Sequence, residues 1–523
     1  MKTLLLLMIC SLAFFPFVSD AQNFSVSWND NSNAIESSGE AIQLSNGNYL
    51  LVKYPKITSL RDLKNFSPNP ILSLVNKDMG PIKETIVEIA DKNAGVSTLR
   101  KYANNVFLTY EVYDNKQIWM YAVKINQQSL LPEGKISLGT IDGDAFERPD
   151  FVYKTSADSA NILLFVEAPA KKNDNKQCFV GVFDTDFKKK WGRYTEIPIG
   201  SRLVSIEEQD VTNDGKVVIA VKHYEKQIIP ALVNRKDFKS PSYEYKLFVF
   251  SKQGPPKQVS FDLKSHFIQG VKFVFDKNGG VTAAGLYKKN YNGNITGAFY
   301  TTFDSSATTI GSNQMVVFPQ EILDLVDKDG QGSSKGSDPG VYSYLRIKHI
   351  LPRHNGTVDL VSEIQVWDAT VQTNSSESFY MKEYRNYVYG DIIVVNIEKG
   401  GHARFTRIPK RQEGFQSEYA LGYYPIVYND KLVLLYNDHQ DNVNRDLSKA
   451  PEHLAAAKKC VLAAAIIDDK GNLIRKEVYN FHSGKQVALP KYFSRVTNSR
   501  YTIISMTGAL LSTRIGSGSL EIK

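Results

Sequence analysis

The sequence predicts an all-β fold built from about eight copies of one four-stranded unit, and two observations carry this prediction. First, a strong hairpin signal, in which a tight polar turn joins two extended apolar runs, recurs along the chain. Second, a weaker hairpin follows most of these signals. The 523 residues include 28 Tyr and 27 Phe, which favour strands, and they contain few long helical patterns.

The clearest hairpin signal runs from Gln209 to His223, where Asp214-Gly215 separates an extended run from an alternating run of Val, Ile and Ala. Asp-Gly and Asn-Gly accept the positive φ angles that a tight turn requires. Equivalent turns lie 54 to 77 residues apart, at Asn46-Gly47, Asn104-Asn105, Asp158-Ser159, Asp214-Gly215, Asn278-Gly279, Asn355-Gly356, Asn429-Asp430 and Asn498-Ser499.

Seven of the eight signals precede a second hairpin, as in the segments that begin at Cys178, Lys246, Ala298, Ile392 and Ala463. Two hairpins make four antiparallel strands, and such sheets bury both faces when they stack around a central axis. The sequence therefore predicts a β-propeller of about eight four-stranded blades. Seven blades, or a tandem pair of smaller β domains, are the structural alternatives.

These repeats resemble the broad β-propeller class of exported repeat proteins over nearly all of the chain, and the resemblance implies architecture alone. Trp367-Asp368 is a single Trp-Asp pair, and the glycine pairs at Gly279 and Gly400 do not recur as kelch glycines do. The eighth unit is short, whereas an unassigned strand at Phe24 to Trp28 precedes the first unit. We expect this strand to complete the last blade, because an open ring would expose unpaired sheet edges.

The domain organisation follows from the N-terminus and from the longer units. Lys2, the apolar run from Leu4 to Phe17 and the small residue Ala21 have the pattern of a signal peptide over residues 1–21. We expect residues 22–523 to form one propeller domain with insertions near 319–345 and 438–460, and without a later membrane span. Two short helices are predicted there, over Pro319 to Val326 and over Ser448 to Lys459.

Export would place the protein in a secreted, periplasmic or cell-surface location. The net charge of +8 is spread over 63 basic and 55 acidic residues without a basic, aromatic-rich run, which argues against nucleic-acid binding. Cys178 and Cys460 occupy the same third-strand position in units three and seven, so an eight-bladed ring sets them too far apart for a disulfide.

A polar column is predicted six residues into the second strand of each unit. It reads Lys53, Glu111, Glu167, Lys222, Leu286, Glu363, Asn437 and Met506. Equivalent positions form a ring around a propeller axis, so the six polar members are candidates for a ligand-binding ring at one mouth of the channel. The alternative is that strand ends are polar only because they meet solvent.

A calcium site is the one cofactor that the sequence suggests. The loop from Asp327 to Asp338 places Asp327, Asp329, Gln331 and Asp338 at positions one, three, five and twelve, similar to an EF-hand loop. Asp at position twelve, Ser334 at position eight and the lack of a following helix depart from that pattern, and a solvated Gly/Ser loop is the alternative.

Three functions remain open from the sequence. The first is an exported module that binds a partner protein or a polar ligand such as a glycan. The second is a polysaccharide- or peptide-directed hydrolase or lyase, with Glu111, Glu167 and Glu363 as the candidate carboxylates. The third is a non-catalytic scaffold. No catalytic motif is recognisable, so the binding module is favoured over an enzyme.

Overall fold

A computed structural model describes most of the chain from residue 23 onwards, and every structural statement below concerns this described part. The described ranges are 23–28, 38–44, 46–53, 69–76, 80–91, 93–143, 149–169, 174–226, 242–260, 263, 266–275, 281–303, 310–372, 382–398, 402–415, 418–455, 457–481, 486–507 and 514–523. The predicted signal peptide and the turn at Asn278-Gly279 lie outside them. No helix in these ranges has the length and apolar character to span a bilayer.

The strands form eight sheets in chain order, each the blade of a propeller. The first strand, β1 (Phe24–Trp28), precedes blade 1. Blade 1 contains β2 (Ser38–Gln43), β3 (Tyr49–Lys53), β4 (Ile71–Val75) and β5 (Pro81–Ile86). Blade 2 contains β6 (Ala94–Tyr102), β7 (Asn105–Asp114), β8 (Gln117–Ile125) and β9 (Pro132–Asp142). Blade 3 contains β10 (Phe151–Thr155), β11 (Ile162–Glu167), β12 (Asn175–Phe183) and β13 (Lys189–Gly200).

Blades 4 to 6 continue the pattern, and the last two of them carry additions. Blade 4 contains β14 (Val204–Val211), β15 (Val217–Tyr224), β16 (Tyr243–Phe250) and β17 (Lys257–Ser260). Blade 5 contains β18 (Phe267–Phe275), β19 (Val281–Lys288), β20 (Ile295–Phe303) and β21 (Ile310–Val317), followed by helix α1 (Gln320–Lys328), β22 (Gly332–Ser333) and β23 (Gly340–Val341). Blade 6 contains β24 (Leu345–Pro352), β25 (Val358–Gln372), β26 (Lys382–Ile397), β27 (Ala403–Ile408) and β28 (Arg411–Phe415).

Blades 7 and 8 complete the ring. Blade 7 contains β29 (Tyr423–Tyr428), β30 (Lys431–His439), β32 (Cys460–Ile467) and β33 (Leu473–Asn480). The short strand β31 (His453–Leu454) follows β30 in the chain but joins the sheet of blade 6. Blade 8 contains β34 (Gln486–Ala488), β35 (Ser494–Arg495), β36 (Arg500–Thr507) and β37 (Arg514–Ile522). The prediction of eight blades is therefore confirmed, and the seven-blade and tandem-domain alternatives are excluded.

The hydrophobic core is divided into eight clusters, and each cluster packs one blade against the next. The smallest of them joins the two ends of the chain, because Tyr49, Leu51 and Val75 of blade 1 pack against Val496 of blade 8. A face-to-face apolar contact between every pair of neighbouring sheets is what buries both faces of each blade. The ring is thus closed by side-chain packing as well as by backbone pairing.

The N-terminal strand completes blade 8, as predicted. β1 pairs antiparallel with β37, with Phe24 opposite Ile522 and Trp28 opposite Gly518. Trp28 and Val26 pack into the core between blades 7 and 8, where the Trp28 ring lies 5.7 Å from the ring of Tyr479. The first resolved strand of the chain is therefore the outermost strand of the last blade.

A disulfide across this closure is expected to form and to stabilise the ring. Ser27 and Ser519 are directly opposite each other on β1 and β37, and their hydroxyl oxygens lie 2.8 Å apart. Ser27→Cys with Ser519→Cys should raise the free energy of unfolding by about 2 to 4 kcal/mol in urea melts, because the link constrains nearly the whole unfolded chain. Cys178 and Cys460 are buried and free, and they should not compete. A gain that persists after reduction would contradict this account of the closure.

Of the two predicted helices, one is confirmed and one is wrong. Helix α1 covers Gln320–Lys328 and buries Ile322, Leu323 and Val326. The segment from Ser448 instead turns into strand β31, which pairs in parallel with β28. Pro451 opposes a helix here, and the side chain of Asn442 bonds to both the backbone N–H and the carbonyl oxygen of Glu452, which holds the chain extended. Only Ala457–Lys459 forms a short 3₁₀ turn.

Candidate functional site

The innermost strand of each blade begins at the same end of the ring, which we call the mouth. In three blades this strand contains a one-residue bulge at the same register position, at Ser97 in β6, Glu207 in β14 and Lys348 in β24. Strand β18 contains a bulge at Gln269, slightly closer to its start. A bulge turns its extra residue out of the alternating pattern of the strand. Glu207, Gln269 and Lys348 all line cavities in the channel.

The largest of three described channel cavities, with a volume of about 490 Å³, is the mouth cavity. Strands β25 and β26 form its outer wall, because they continue past the start of β24. This wall contributes Gln365, Trp367, Tyr387 and Tyr389. Arg346, Lys348, Glu418 and Lys491 supply the charged groups of the lining. The mouth cavity thus combines aromatic surface with an excess of positive charge.

The charges of the mouth cavity are unequally paired. Glu418 accepts a hydrogen bond from the Tyr389 hydroxyl, and its carboxylate lies 3.4 Å from the Lys491 ammonium. Arg346 donates to the carbonyl oxygen of Ser343 over 2.9 Å but has no carboxylate within ion-pair distance among the described residues. Lys348 makes neither a hydrogen bond nor an ion pair with any described residue. Within the described ranges, Arg346 and Lys348 therefore have no carboxylate at ion-pair distance, although Glu207 acts on Arg346 and Glu363 acts on Lys348 from farther away.

Two smaller cavities adjoin the mouth cavity along the channel wall. The side cavity, of about 260 Å³, shares Arg346 with the mouth cavity and also contacts Glu207 and Lys222. The deep cavity, of about 300 Å³, shares Lys348 with the mouth cavity and contacts Lys154, Glu208, Asp210, Lys272 and His349. The three cavities thus share a wall in β24, and the side and deep cavities also share β18. Together they form a polar lining along the channel.

The predicted polar column lies at the mouth, one strand out from the channel. Glu111 is opposite Gly95, Lys222 is opposite Ser205 and Glu363 is opposite Arg346, all near the start of an innermost strand. Only Lys222 and Leu286 of the column line a described channel cavity. Glu111, Lys222 and Glu363 therefore hold equivalent positions, while the use of the column as a ligand-binding ring stays a prediction. The side chain of Lys53 lies outside the described part.

The polar members of the column have partners within the protein. Glu167 lies 2.7 Å from Lys176, Lys222 lies 3.1 Å from Glu207, and Glu363 lies 2.7 Å from Lys410. Burial lowers the pKa of Lys222, and its ammonium also lies over the rings of Tyr243 and Tyr245. Glu111 accepts from the Tyr113 hydroxyl over 3.4 Å. Asn437 bonds to the backbone of Ala420 and Ala488. The three nominated carboxylates lie in blades 2, 3 and 6, each with a different partner.

The predicted calcium ligands also have separate protein partners. Asp327 accepts from the backbone N–H and the hydroxyl of Ser334, Asp329 pairs with Arg407, Gln331 accepts from the backbone N–H of Asp391, and Asp338 accepts from the backbone N–H of Asn294. In the described residues no group of three or more His, Cys, Asp or Glu side chains is arranged for a metal ion. Calcium binding by this loop stays a prediction.

The sequence did not single out the channel residues Arg346, Lys348, Glu208 and Asp210. A signal for two of them is nevertheless present, since Arg346 and Lys348 alternate with Leu345 and Ile347 at the start of the sixth unit. The bulge that exposes Lys348 to two cavities has no comparable sequence signal.

Asp210 in the deep cavity is expected to make the stability of the protein depend on pH. Burial raises its pKa to about 6, above the value of about 3.9 for an unfolded aspartate. The folded state therefore favours the protonated carboxyl, which contributes to the free energy of unfolding at low pH. This contribution is lost as the pH rises from about 4 through 6. Asp210→Asn should remove this contribution to the pH dependence. The free energy of unfolding of the variant, relative to that of wild type, should therefore rise by about 2 kcal/mol between pH 4 and pH 7.5. Urea melts at both pH values test this, with exposed Asp150→Asn as the control. The same change in the free energy of unfolding between pH 4 and pH 7.5 in wild type, Asp210→Asn and Asp150→Asn would contradict this account.

The fold defines the class of this chain, an eight-bladed β-propeller with a cationic and aromatic cavity at the mouth of its channel. No protein-family model matches the chain, and no curated protein matches it.

Solved structures match at low identity. An uncharacterised protein, lmo1340, from Listeria monocytogenes is 10% identical with a TM-score of 0.35, covering 81% of this chain and 93% of its own. Prolyl oligopeptidase B from Galerina marginata is 8% identical with a TM-score of 0.37, covering 90% and 55%. Pyrococcus horikoshii acylaminoacyl peptidase is 10% identical with a TM-score of 0.33, covering 91% and 58%. At these identities and TM-scores, the matches assign neither a family nor an activity.

Proposed function

We propose that this protein is an exported β-propeller that binds an acidic glycan, such as an oligosaccharide of uronic acids, in the mouth cavity. The observation that carries this proposal is the pair of cations, Arg346 and Lys348, that have no carboxylate partner in the described structure and that lie beside an aromatic wall. A cation that has no direct ion-pair partner in a partly enclosed site is stabilised when an anion joins it. A ligand carboxylate would supply that anion.

The geometry of the lining suits a sugar acid. The guanidinium of Arg346 can take a carboxylate in two parallel hydrogen bonds, and the ammonium of Lys348 can act as a second point charge. Trp367 and Tyr387 add apolar ring surface against which a sugar ring can lie, and Gln365 adds an amide for hydroxyl groups. A volume of about 490 Å³ falls within the range of small-ligand sites and holds one to a few sugar units.

Export supports an extracellular or periplasmic ligand rather than a cytoplasmic one. This part of the proposal rests on the N-terminal pattern of residues 1–21. Glycans with uronic acids are polymers of that environment, and a propeller without a catalytic motif is suited to bind them.

A glycan-directed enzyme is the second candidate, and one observation favours it. The deep cavity brings Asp210, whose pKa is raised to about 6 by burial, to the same lining as Glu208, which pairs with Lys154 and Lys272. Two carboxyl groups in different environments are the usual equipment for acid and base roles. Release of reducing ends from an oligouronide by wild type but not by Asp210→Asn would support this candidate.

Calorimetric titration tests the binding proposal. A trimer of galacturonic acid should bind, and the affinity should fall as the salt concentration rises, because charge pairs are screened. The neutral trimer of glucose should bind at least about tenfold more weakly, the factor that 1.4 kcal/mol of lost charge interaction produces. Equal affinity for both trimers would contradict the proposal. So would binding of an oligoglutamate peptide without binding of the acidic trimer, since that would indicate a protein ligand.

A further inference from the structure

We propose that Lys348 is a carbonyl-reactive amine that forms an imine with a ligand bearing an aldehyde or ketone beside a carboxylate. Such ligands are 2-oxo acids, in which the ketone and the carboxylate are on adjacent carbons. This inference rests on the proposed function, since the same cavity and the same cations would hold the carboxylate. It adds a covalent step and a reactive residue to that binding site.

The position of Lys348 distinguishes it from the other lysines of the mouth. It is half-buried at the bulge of β24, and it lines both the mouth cavity and the deep cavity. Buried Lys410, Lys176 and Lys222 each lie within 3.1 Å of a carboxylate. Lys348 makes no hydrogen bond or ion pair with the described residues. Its amine is therefore free to meet a molecule that enters the cavity.

Burial favours the neutral, nucleophilic form of this amine. Burial lowers the pKa of Lys348, and the cations Lys491 and Arg346 lower it further, while Glu363 and Glu418 act in the opposite direction. The two carboxylates already pair with Lys410 and Lys491. A lysine that is partly desolvated beside other cations is a common arrangement for imine chemistry. Each unit by which the pKa falls increases the neutral fraction at pH 7 about tenfold.

The reaction needs no oxidant or reductant. The nitrogen lone pair of Lys348 attacks the carbonyl carbon, which forms a C–N bond and converts the carbonyl oxygen to a hydroxyl group. The nitrogen then loses its proton, the hydroxyl group takes up a proton and leaves as water, and a C=N bond results. The net change is amine plus carbonyl compound to imine plus one water. Arg346 would hold the carboxylate of the ligand while the bond forms.

Reductive trapping tests the inference. Wild-type protein is incubated at pH 7 with pyruvate, the simplest ketone beside a carboxylate, in the presence of sodium cyanoborohydride, which reduces an imine to a stable secondary amine. Peptide mass mapping should locate the adduct on Lys348. Its formation should be faster than on exposed Lys116, because Lys348 lines the cavity that would hold the carboxylate and because burial lowers the pKa of its amine.

Two variants and one competitor complete the experiment. Lys348→Arg should abolish the fast adduct, because a guanidinium does not form an imine under these conditions. Lys252→Arg, the same change at an exposed lysine that lines none of the described cavities, should keep the adduct. The methyl glycoside of galacturonic acid has no free carbonyl, and it should slow trapping by competition. Lys348 labelling at the rate of Lys116, in a protein that binds the methyl glycoside, would overturn the inference alone. Absence of methyl glycoside binding would instead overturn the proposed function.

Discussion

Lys410→Met is expected to lower the free energy of unfolding by about 3 to 5 kcal/mol, the usual cost of leaving a buried charge without its partner. The ammonium of Lys410 lies 2.7 Å from the carboxylate of Glu363, and the side chains are 0% and 1% exposed. Lys410 also donates to the side-chain oxygen of Gln412 over 2.8 Å. Urea-induced unfolding followed by tryptophan fluorescence measures the change.

A double variant separates the charge from the packing in this pair. Glu363→Gln in the Lys410→Met background removes the buried negative charge and keeps an oxygen that can accept from Gln365, which bonds to Glu363 over 2.6 Å. It should recover most of the lost stability. Lys135→Met, which breaks a partly exposed pair with Asp91, should cost less than about 1 kcal/mol. If the double variant is no more stable than Lys410→Met, the uncompensated charge is not the cause.

Replacing both Arg346 and Lys348 with alanine is expected to weaken binding of the galacturonate trimer by about 100-fold or more. Each cation would lose a charge-assisted hydrogen bond worth about 1.5 to 3 kcal/mol. The substitutions should be tolerated, because neither side chain has a carboxylate partner in the described structure. Calorimetric titration at fixed salt measures the affinity of the variant and of wild type.

Two controls define this second prediction. Lys116→Ala removes an exposed lysine that lines none of the described cavities, and it should leave the affinity within about twofold, as expected for a charge outside the contact. Trp367→Ala should weaken binding while it leaves the salt dependence unchanged, because the aromatic wall contributes area rather than charge. Unchanged affinity in the double alanine variant would show that the ligand binds outside the mouth cavity.

The propeller could be predicted from the sequence because its turns are local features. Gly47, Gly215 and Gly356 all adopt the positive φ angles that the turn signals require, with values of 84°, 80° and 85°. The closing strand could also be predicted, since a short last unit and an extra strand at Phe24 to Trp28 complement each other. The segment from Ser448 was mispredicted because Asn442 and β28 override its local helical preference.

The charged lining of the channel was predictable only in part. The shared register of Glu111, Lys222 and Glu363 was predictable because each lies at a similar distance after its hairpin turn. The positions of the column residues in the sequence do not show which side chains pair with them. Lys410 reaches Glu363 from a separate strand connection, and the bulge places Lys348 in two cavities. Contacts of this kind form between segments that are distant in the chain, and they leave no repeated pattern in the sequence. The candidate site can therefore be recognised only in the folded structure.

The binding account is tested most directly by a crystal structure of the protein with the galacturonate trimer. We expect a carboxylate of the ligand within hydrogen-bond distance of the Arg346 guanidinium and of the Lys348 ammonium, with one sugar ring against Trp367 or Tyr387. A trimer found on the outer edge of the blades or at the opposite end of the channel, with the mouth cavity occupied by solvent alone, would contradict the account.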